Sequence, residues 1–201
     1  MSGLDHLLAK SLNEIIEKNL GAKTVKKIDD RLFEKFGLSI TQAIEEFDKL
    51  DLVLREFFGK GADGIEKKIF ENIFHTKSNK SKDHWYTLSD SYVNSVILQA
   101  FGDLEKKKII ESVSSSPKII NDILKDCQLP RTSGYRKINS LIDDGLIYQT
   151  EQIVVDNKKI NKYACAFSNL KINIEKDKLT VDVQLSDSDI LKSSIFQTIQ
   201  I

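Results

Sequence analysis

The order of segments between Ser116 and Phe167 constrains the fold of this chain more than any other feature: two helical stretches, joined by a tight turn, run straight into a pair of strand-like segments. Pro117 suits a first helical position, because its missing N–H would have no intrahelical partner, and Ser116 stands where a cap belongs. Ile119, Ile120, Ile123 and Leu124 then fall on one face at helical spacing. At Gln128-Leu129-Pro130 the pattern breaks, since proline disfavours helical geometry at Leu129 and can itself open a new helix. A second helix is therefore expected from about Arg131 to Asp144, ended by Gly145, which can take the left-handed backbone. Leu146-Ile147-Tyr148 begins a strand, and Ile153-Val154-Val155 and Ile160 to Phe167 flank the polar turn Asp156-Asn157-Lys158-Lys159.

Helix, turn, helix and basic hairpin is the layout of a winged helix-turn-helix, whose commonest use is to lay the second helix in the DNA major groove. On a helical wheel centred on Ile138, Gly134, Leu141 and Ile142 form the inward face. Thr132, Ser133, Arg136, Asn139 and Ser140 lie on the far side with Lys137 on the flank, and their hydroxyl, amide and cationic groups are the types that read base edges and phosphates. Arg136 is central there, and Arg131, Thr132 and Ser133 sit at the helix start, where free amides and the helix dipole favour a phosphate. Lys158, Lys159 and Lys162 are placed on the hairpin, to add affinity from the flanking backbone or minor groove. Asp143 and Asp144 would repel phosphate, so the DNA-facing part is the N-terminal two turns. Any surface helix has a polar outer face; the ordered combination of elements is what points to DNA.

The run from Leu129 to Ile147, with Gly134-Tyr135-Arg136, Leu141-Ile142 and Gly145-Leu146-Ile147 in register, resembles the recognition helix and following strand of archaeal winged-helix regulators related to the ArsR group. That resemblance implies double-stranded DNA as a partner. Metal-sensing members of the group carry paired cysteines on the recognition helix, or paired acidic and histidine ligands elsewhere; this chain has neither, so metal sensing is not carried over. Nearer the N-terminus, Leu20 to Thr24, Arg31 to Ser39 and Leu54 to Ala62 resemble the fifth Nitrososphaera output domain family, over roughly Leu4 to Phe74. This implies an archaeal regulatory setting in which a helical module accompanies other domains, and it names no ligand.

Lys plus Arg and Asp plus Glu both number 30, so no global basic field draws in nucleic acid and binding depends on a local patch. From Gln128 to Ser140 there are three basic residues, Arg131, Arg136 and Lys137, and no acidic one. No apolar run approaches the ~20 residues that span a bilayer, and Met1-Ser2-Gly3-Leu4-Asp5 lacks the pattern of a secretion signal, so a cytoplasmic protein without a membrane partner is expected. Cys127 and Cys165 read as reduced and half-buried, with a redox pair as the alternative. His6, His75 and His84 are scattered, and neither zinc-ligand spacing, a Gly-rich phosphate loop nor a nucleophile elbow occurs; no enzyme, metal or cofactor is expected.

The expected class is mainly α with a small β component: an N-terminal helical bundle over 1–74, a polar linker over 75–87, a winged helix-turn-helix with a connector helix and an extra hairpin over 88–185, and a terminal helix over 186–201. Helices are expected from Leu4 to a stop near Gly21, over Thr24–Phe36 with a stop at Gly37, from the Ser39 capping box through Phe58, and from Ile65 to Phe74. The bundle is assigned to sensing an unknown ligand or signalling partner, or to oligomerisation, with domains free to move independently. Ile190, Leu191, Ile195, Phe196 and Ile199 give the tail an apolar stripe, left open between packing on its own domain and building a homodimer. Functionally, a sequence-specific transcription regulator is set against a protein-interaction adapter that uses the same module as a scaffold, with a small-molecule enzyme a distant third.

Overall fold

The computed structural model describes residues 3–76, 84–155, 157–176 and 178–199. The chain is mainly helical, with a smaller antiparallel strand component. Helices α1 (Gly3–Leu20), α2 (Ala22–Phe36), α3 (Ile40–Glu45), α4 (Phe47–Phe58) and α5 (Ala62–Glu71) form the N-terminal bundle, with a short 3-10 turn at Gly59–Gly61. Leu4, Leu8, Leu12 and Ile16 recur on one face of α1 and are buried, as their helical spacing requires. Gly37 ends α2 at φ 69°, its N–H donating to the Phe33 carbonyl, and Ser39 and Gln42 form the expected reciprocal cap.

The helix expected from that cap through Phe58 is broken at Glu46, and the cause lies in a distant segment. There the Ser194 hydroxyl accepts from the Phe47 N–H at 2.9 Å and lies 3.1 Å from the Glu45 carbonyl, so a side chain replaces the helical ladder. Asp5, 1% exposed, holds the same corner: it accepts from the Ser194 N–H at 2.9 Å and from the Ser193 hydroxyl, and burial pushes its carboxyl up to about 6.

Two strands, β1 (Phe74–Thr76) and β2 (Trp85–Leu88), precede α6 (Ser91–Gly102) and α7 (Leu104–Ser114). The linker expected over 75–87 is corrected by their pairing, His75 opposite Thr87 and Thr76 opposite Tyr86; residues 77–83 lie outside the described residues. Phe74 therefore starts a strand instead of ending the fourth helix, and the connector helix begins at Ser91, after Asp90, whose carboxylate accepts from the Val93 N–H. Alternation explains β2: Tyr86 and Leu88 are buried while Trp85 and Thr87 are half-buried. Next come β3 (Lys118–Ile119), α8 (Ile120–Asp126), α9 (Arg131–Asp143), β4 (Ile147–Val155) and β5 (Lys158–Cys165), then the hairpin β6 (Asn169–Glu175) and β7 (Lys178–Gln184). The two sheets are antiparallel, ordered β1-β2-β7-β6 and β3-β5-β4.

The terminal helix is also broken, into α10 (Asp187–Lys192) and α11 (Ser194–Ile199), with Ser186 capping the first. Ile195 and Phe196 are buried as α11 packs on α3, α4 and α5, and the Phe196 ring meets Tyr86 at 4.9 Å. Of the tail's stripe, Ile195 and Phe196 are thus covered within their own chain while Leu191 stays exposed; the Ile199 side chain lies outside what is described. One contiguous set of buried side chains runs from Leu4 to Phe196, so the expected independent halves share a core. Among the described residues no helix is long and apolar enough to cross a membrane.

Candidate nucleic-acid interface

Helices α7, α8 and α9 pack on one another and on the β3-β5-β4 sheet around Ile109, Ile110, Ile123, Leu124, Ile138 and Leu141. The opening helix is shorter than expected, because Pro117 precedes a strand: Lys118 pairs with Tyr163 and Ile119 with Lys162, and the helix starts only at Ile120, with no cap from Ser116. Proline is acceptable immediately before such a short edge strand, where its missing donor is not needed. The hairpin turn is tighter than the sequence indicated: Val155 pairs directly with Lys158, and Asn157 takes φ 61°, while Asp156 lies outside the described residues.

The turn between α8 and α9 is closed by Gln128 at φ 54° and by the Leu129 N–H donating to the Leu124 carbonyl at 2.9 Å. Gly134 then sets how closely α9 approaches α8, since a Cβ there would stand 2.1 Å from Leu124 Cδ2. At its other end α9 stops at Gly145, φ 72°, which is seated against the backbone of α1: a Cβ would lie 2.4 Å from the Leu7 nitrogen. His6 spans the same junction, with Nδ1 2.8 Å from Glu45 Oε1 on α3 and Nε2 3.0 Å from the Asp143 carbonyl. The N-terminal bundle is therefore the support on which the end of α9 rests.

With α9 held at both ends, its polar residues divide into two sets. Arg131, Thr132, Arg136 and Asn139 are exposed, and among the described residues their side chains have no hydrogen-bond or ion-pair partner; the same holds for the side chains of Lys158 and Lys159 on the hairpin. Among the described residues the Ser133 hydroxyl bonds only to the carbonyl of Pro130, the residue that precedes its helix, at 3.3 Å. Lys137, Ser140 and Lys162 depart from the expectation. Lys137 keeps 17% of its side-chain surface and is paired with Asp103 and with Glu105 at 3.2 Å; the two carboxylates raise the proton affinity of its ammonium, and the ammonium in turn holds the Asp103 carboxyl low. Ser140 accepts from the Lys106 ammonium at 2.8 Å, and Lys162 is paired across the hairpin with Glu151 at 2.9 Å. The reason is local: the acidic first turn of α7 lies against the flank of α9, where the wheel placed Lys137, and Glu151 pairs with Lys162 in the strand register.

Tyr135, absent from the sequence-derived site, is 40% exposed on the same face. With Asn121, Lys159, Asn161 and Tyr163 it lines a cavity of about 220 Å³ between α9 and the hairpin. Its spacing, four residues after Arg131 and four before Asn139, is the signal that places it there. Tyr135 and Asn121 have no polar partner among the described residues, and Asn161 gives only its carbonyl oxygen, to Gln152 at 2.9 Å.

Cys127 and Cys165 are both buried and free, and burial pushes the Cys165 thiol up to about 11, away from the reactive thiolate. A larger cavity, about 570 Å³, lies where α1 meets α9 and β4, lined by Gly3, His6, Ile142, Gly145 and Tyr148 among others. Comparison with protein families, with curated proteins and with solved structures finds no match for this chain.

Proposed function

We propose that this chain is a sequence-specific DNA-binding regulator, in which residues 104–165 act as a winged helix-turn-helix, α9 enters the major groove and the β4–β5 hairpin follows the backbone. The observation that carries the reading is the row of exposed, unpartnered Arg131, Thr132, Arg136 and Asn139 along one face of α9, with unpartnered Lys158 and Lys159 beside it. Polar groups left without intramolecular partners are free to meet an external one, and these types match base edges and phosphates. Arg136 reads a base, Arg131 and Thr132 hold phosphate at the helix start, and Tyr135 adds contact from the groove. Lys137, Ser140 and Lys162 serve the fold and not the DNA. The bundle of α1 to α5 sets the angle of α9 through His6 and Gly145, which gives it a route to regulate binding.

Selection of bound sequences from a random duplex library, run with Arg136→Ala and Lys137→Ala alongside, tests this. Arg136→Ala should cost about 1–3 kcal/mol and relax preference at one base. Lys137→Ala should leave preference and salt dependence as in the parent. Equal binding by the parent and Arg136→Ala across the library would refute the assignment. The competing reading, a protein-interaction adapter, draws on the equal counts of 30 acidic and 30 basic residues; absence of DNA binding at low salt would favour it.

A further inference from the structure

Among the described residues, strand β6 has a neighbour, β7, on one side only. The pairing runs without a bulge from Asn169 to Glu175, and every residue from Lys171 to Glu175 is exposed. Ile172 and Ile174, 37% and 74% exposed, extend the face that buries Val181 and Val183 deeper in the sheet. An open, regular edge bearing apolar side chains is what proteins ordinarily blunt, because its free N–H and C=O groups template another strand. Lys171 and Glu175 are the charges on this strand.

Lys171-Ile172-Asn173-Ile174-Glu175 is complementary to itself in reverse. A two-fold axis normal to the sheet at Asn173 sets Lys171 opposite Glu175 of a second copy, Ile172 opposite its Ile174, and Asn173 opposite itself. Centring on Lys171 would oppose like charges, and centring on Ile172 would leave both charges facing asparagine. Centring between residues is excluded, because neighbouring side chains point to opposite faces. The Lys171 ammonium lies 4.0 Å from the Trp85 ring centroid, on the face that Glu175 shares. Ile195 and Phe196 of α11 do not serve as the contact, since they are already covered by the bundle.

We propose that a second copy of this chain docks on β6, antiparallel and two-fold about Asn173, joining two four-stranded sheets into one. Main-chain hydrogen bonds hold the edges together, the isoleucines cover each other, and the two Lys171–Glu175 pairs fix the register. This dimer is independent of the DNA-binding reading.

Sedimentation velocity over a concentration series tests it on the full chain. Lys171→Glu makes the edge wholly acidic and Glu175→Lys makes it wholly basic, so each alone should weaken self-association by about tenfold or more. An equimolar mixture of the two should associate, because each supplies the charge that the other lacks, and the K171E/E175K double variant should dimerise like the parent. A monomeric parent, single reversals that dimerise as the parent does, or a mixture that stays monomeric would each overturn the proposal. Circular dichroism monitors folding; if a single reversal does not fold, the double variant decides, and its failure to dimerise like the parent overturns the proposal.

Discussion

Replacing Gly145 with alanine tests the contact that joins the bundle to the end of α9. The residue sits at φ 72°, where an L side chain costs ~1–2 kcal/mol. The added Cβ would also stand 2.4 Å from the Leu7 nitrogen, 2.8 Å from Leu7 Cα and 2.9 Å from the Gly3 carbonyl oxygen. All three are backbone atoms of α1, so no rotamer relieves the overlap; the helix must withdraw by about an ångström, and overpacking of this kind costs about 1–3 kcal/mol. The sum is about 2–5 kcal/mol. Gly37 provides the control, because its φ is 69° and nothing lies within 4 Å of the position a Cβ would take. Gly37→Ala should therefore lose only the conformational part. Equilibrium unfolding in urea of the parent and both variants measures the difference, expected at about 1–3 kcal/mol with an unchanged dependence on denaturant. Equal losses at the two glycines would refute the seating of α1 on this corner.

Two further outcomes follow from the half-buried Ser194 and the buried Glu66. Ser194→Ala removes the hydroxyl that bonds the Phe47 N–H and lies against the Glu45 carbonyl, and should cost about 1–3 kcal/mol, with loss of hydrogen-exchange protection at Phe47; unchanged protection there would contradict the account of the α3–α4 break. Glu66, 4% exposed beside Asp51, has its carboxyl pushed by burial from an ordinary 4.5 up to about 8. The folded chain holds that proton more tightly than the unfolded one, so the stability it contributes is full below pH 4.5 and is lost as pH rises to about 8. Asp5 adds a slope of the same sign, ending near pH 6. Urea midpoints across this range should fall with pH in the parent and fall less in Glu66→Gln; parallel slopes would refute the assignment.

Local chemistry is what the sequence made legible. The bounds of α9, the Gly37 and Gly145 stops, the capping box at Ser39 and the β6–β7 hairpin all depend on neighbours within a few residues. Elements that depend on distant partners were not legible. The two-residue β3 exists because β5 lies beside it, the break at Glu46 because Ser194 inserts there, and the β1–β2 pair because β7 continues the sheet. The candidate site divides in the same way. Exposure of Arg131, Thr132, Arg136 and Asn139 follows from helical periodicity, whereas the capture of Lys137 by Asp103 and Glu105 required the position of α7. Tyr135 could have been found from its spacing, but an aromatic residue is more often assigned to a core.

The sheet order β1-β2-β7-β6 has a consequence for cooperativity. The chain leaves this sheet at Leu88 and re-enters it at Asn169, and Leu88 and Ile172 flank the same residue, Val181. Everything from α6 to β5 is thus an excursion whose two ends are tied one strand apart. Melting the excursion alone would leave a long closed loop within an intact sheet, at a closure cost of roughly 4–5 kcal/mol relative to a free chain. Neither part can therefore lose its structure without penalising the other, and residues 91–167 are bound to unfold with the body that carries them.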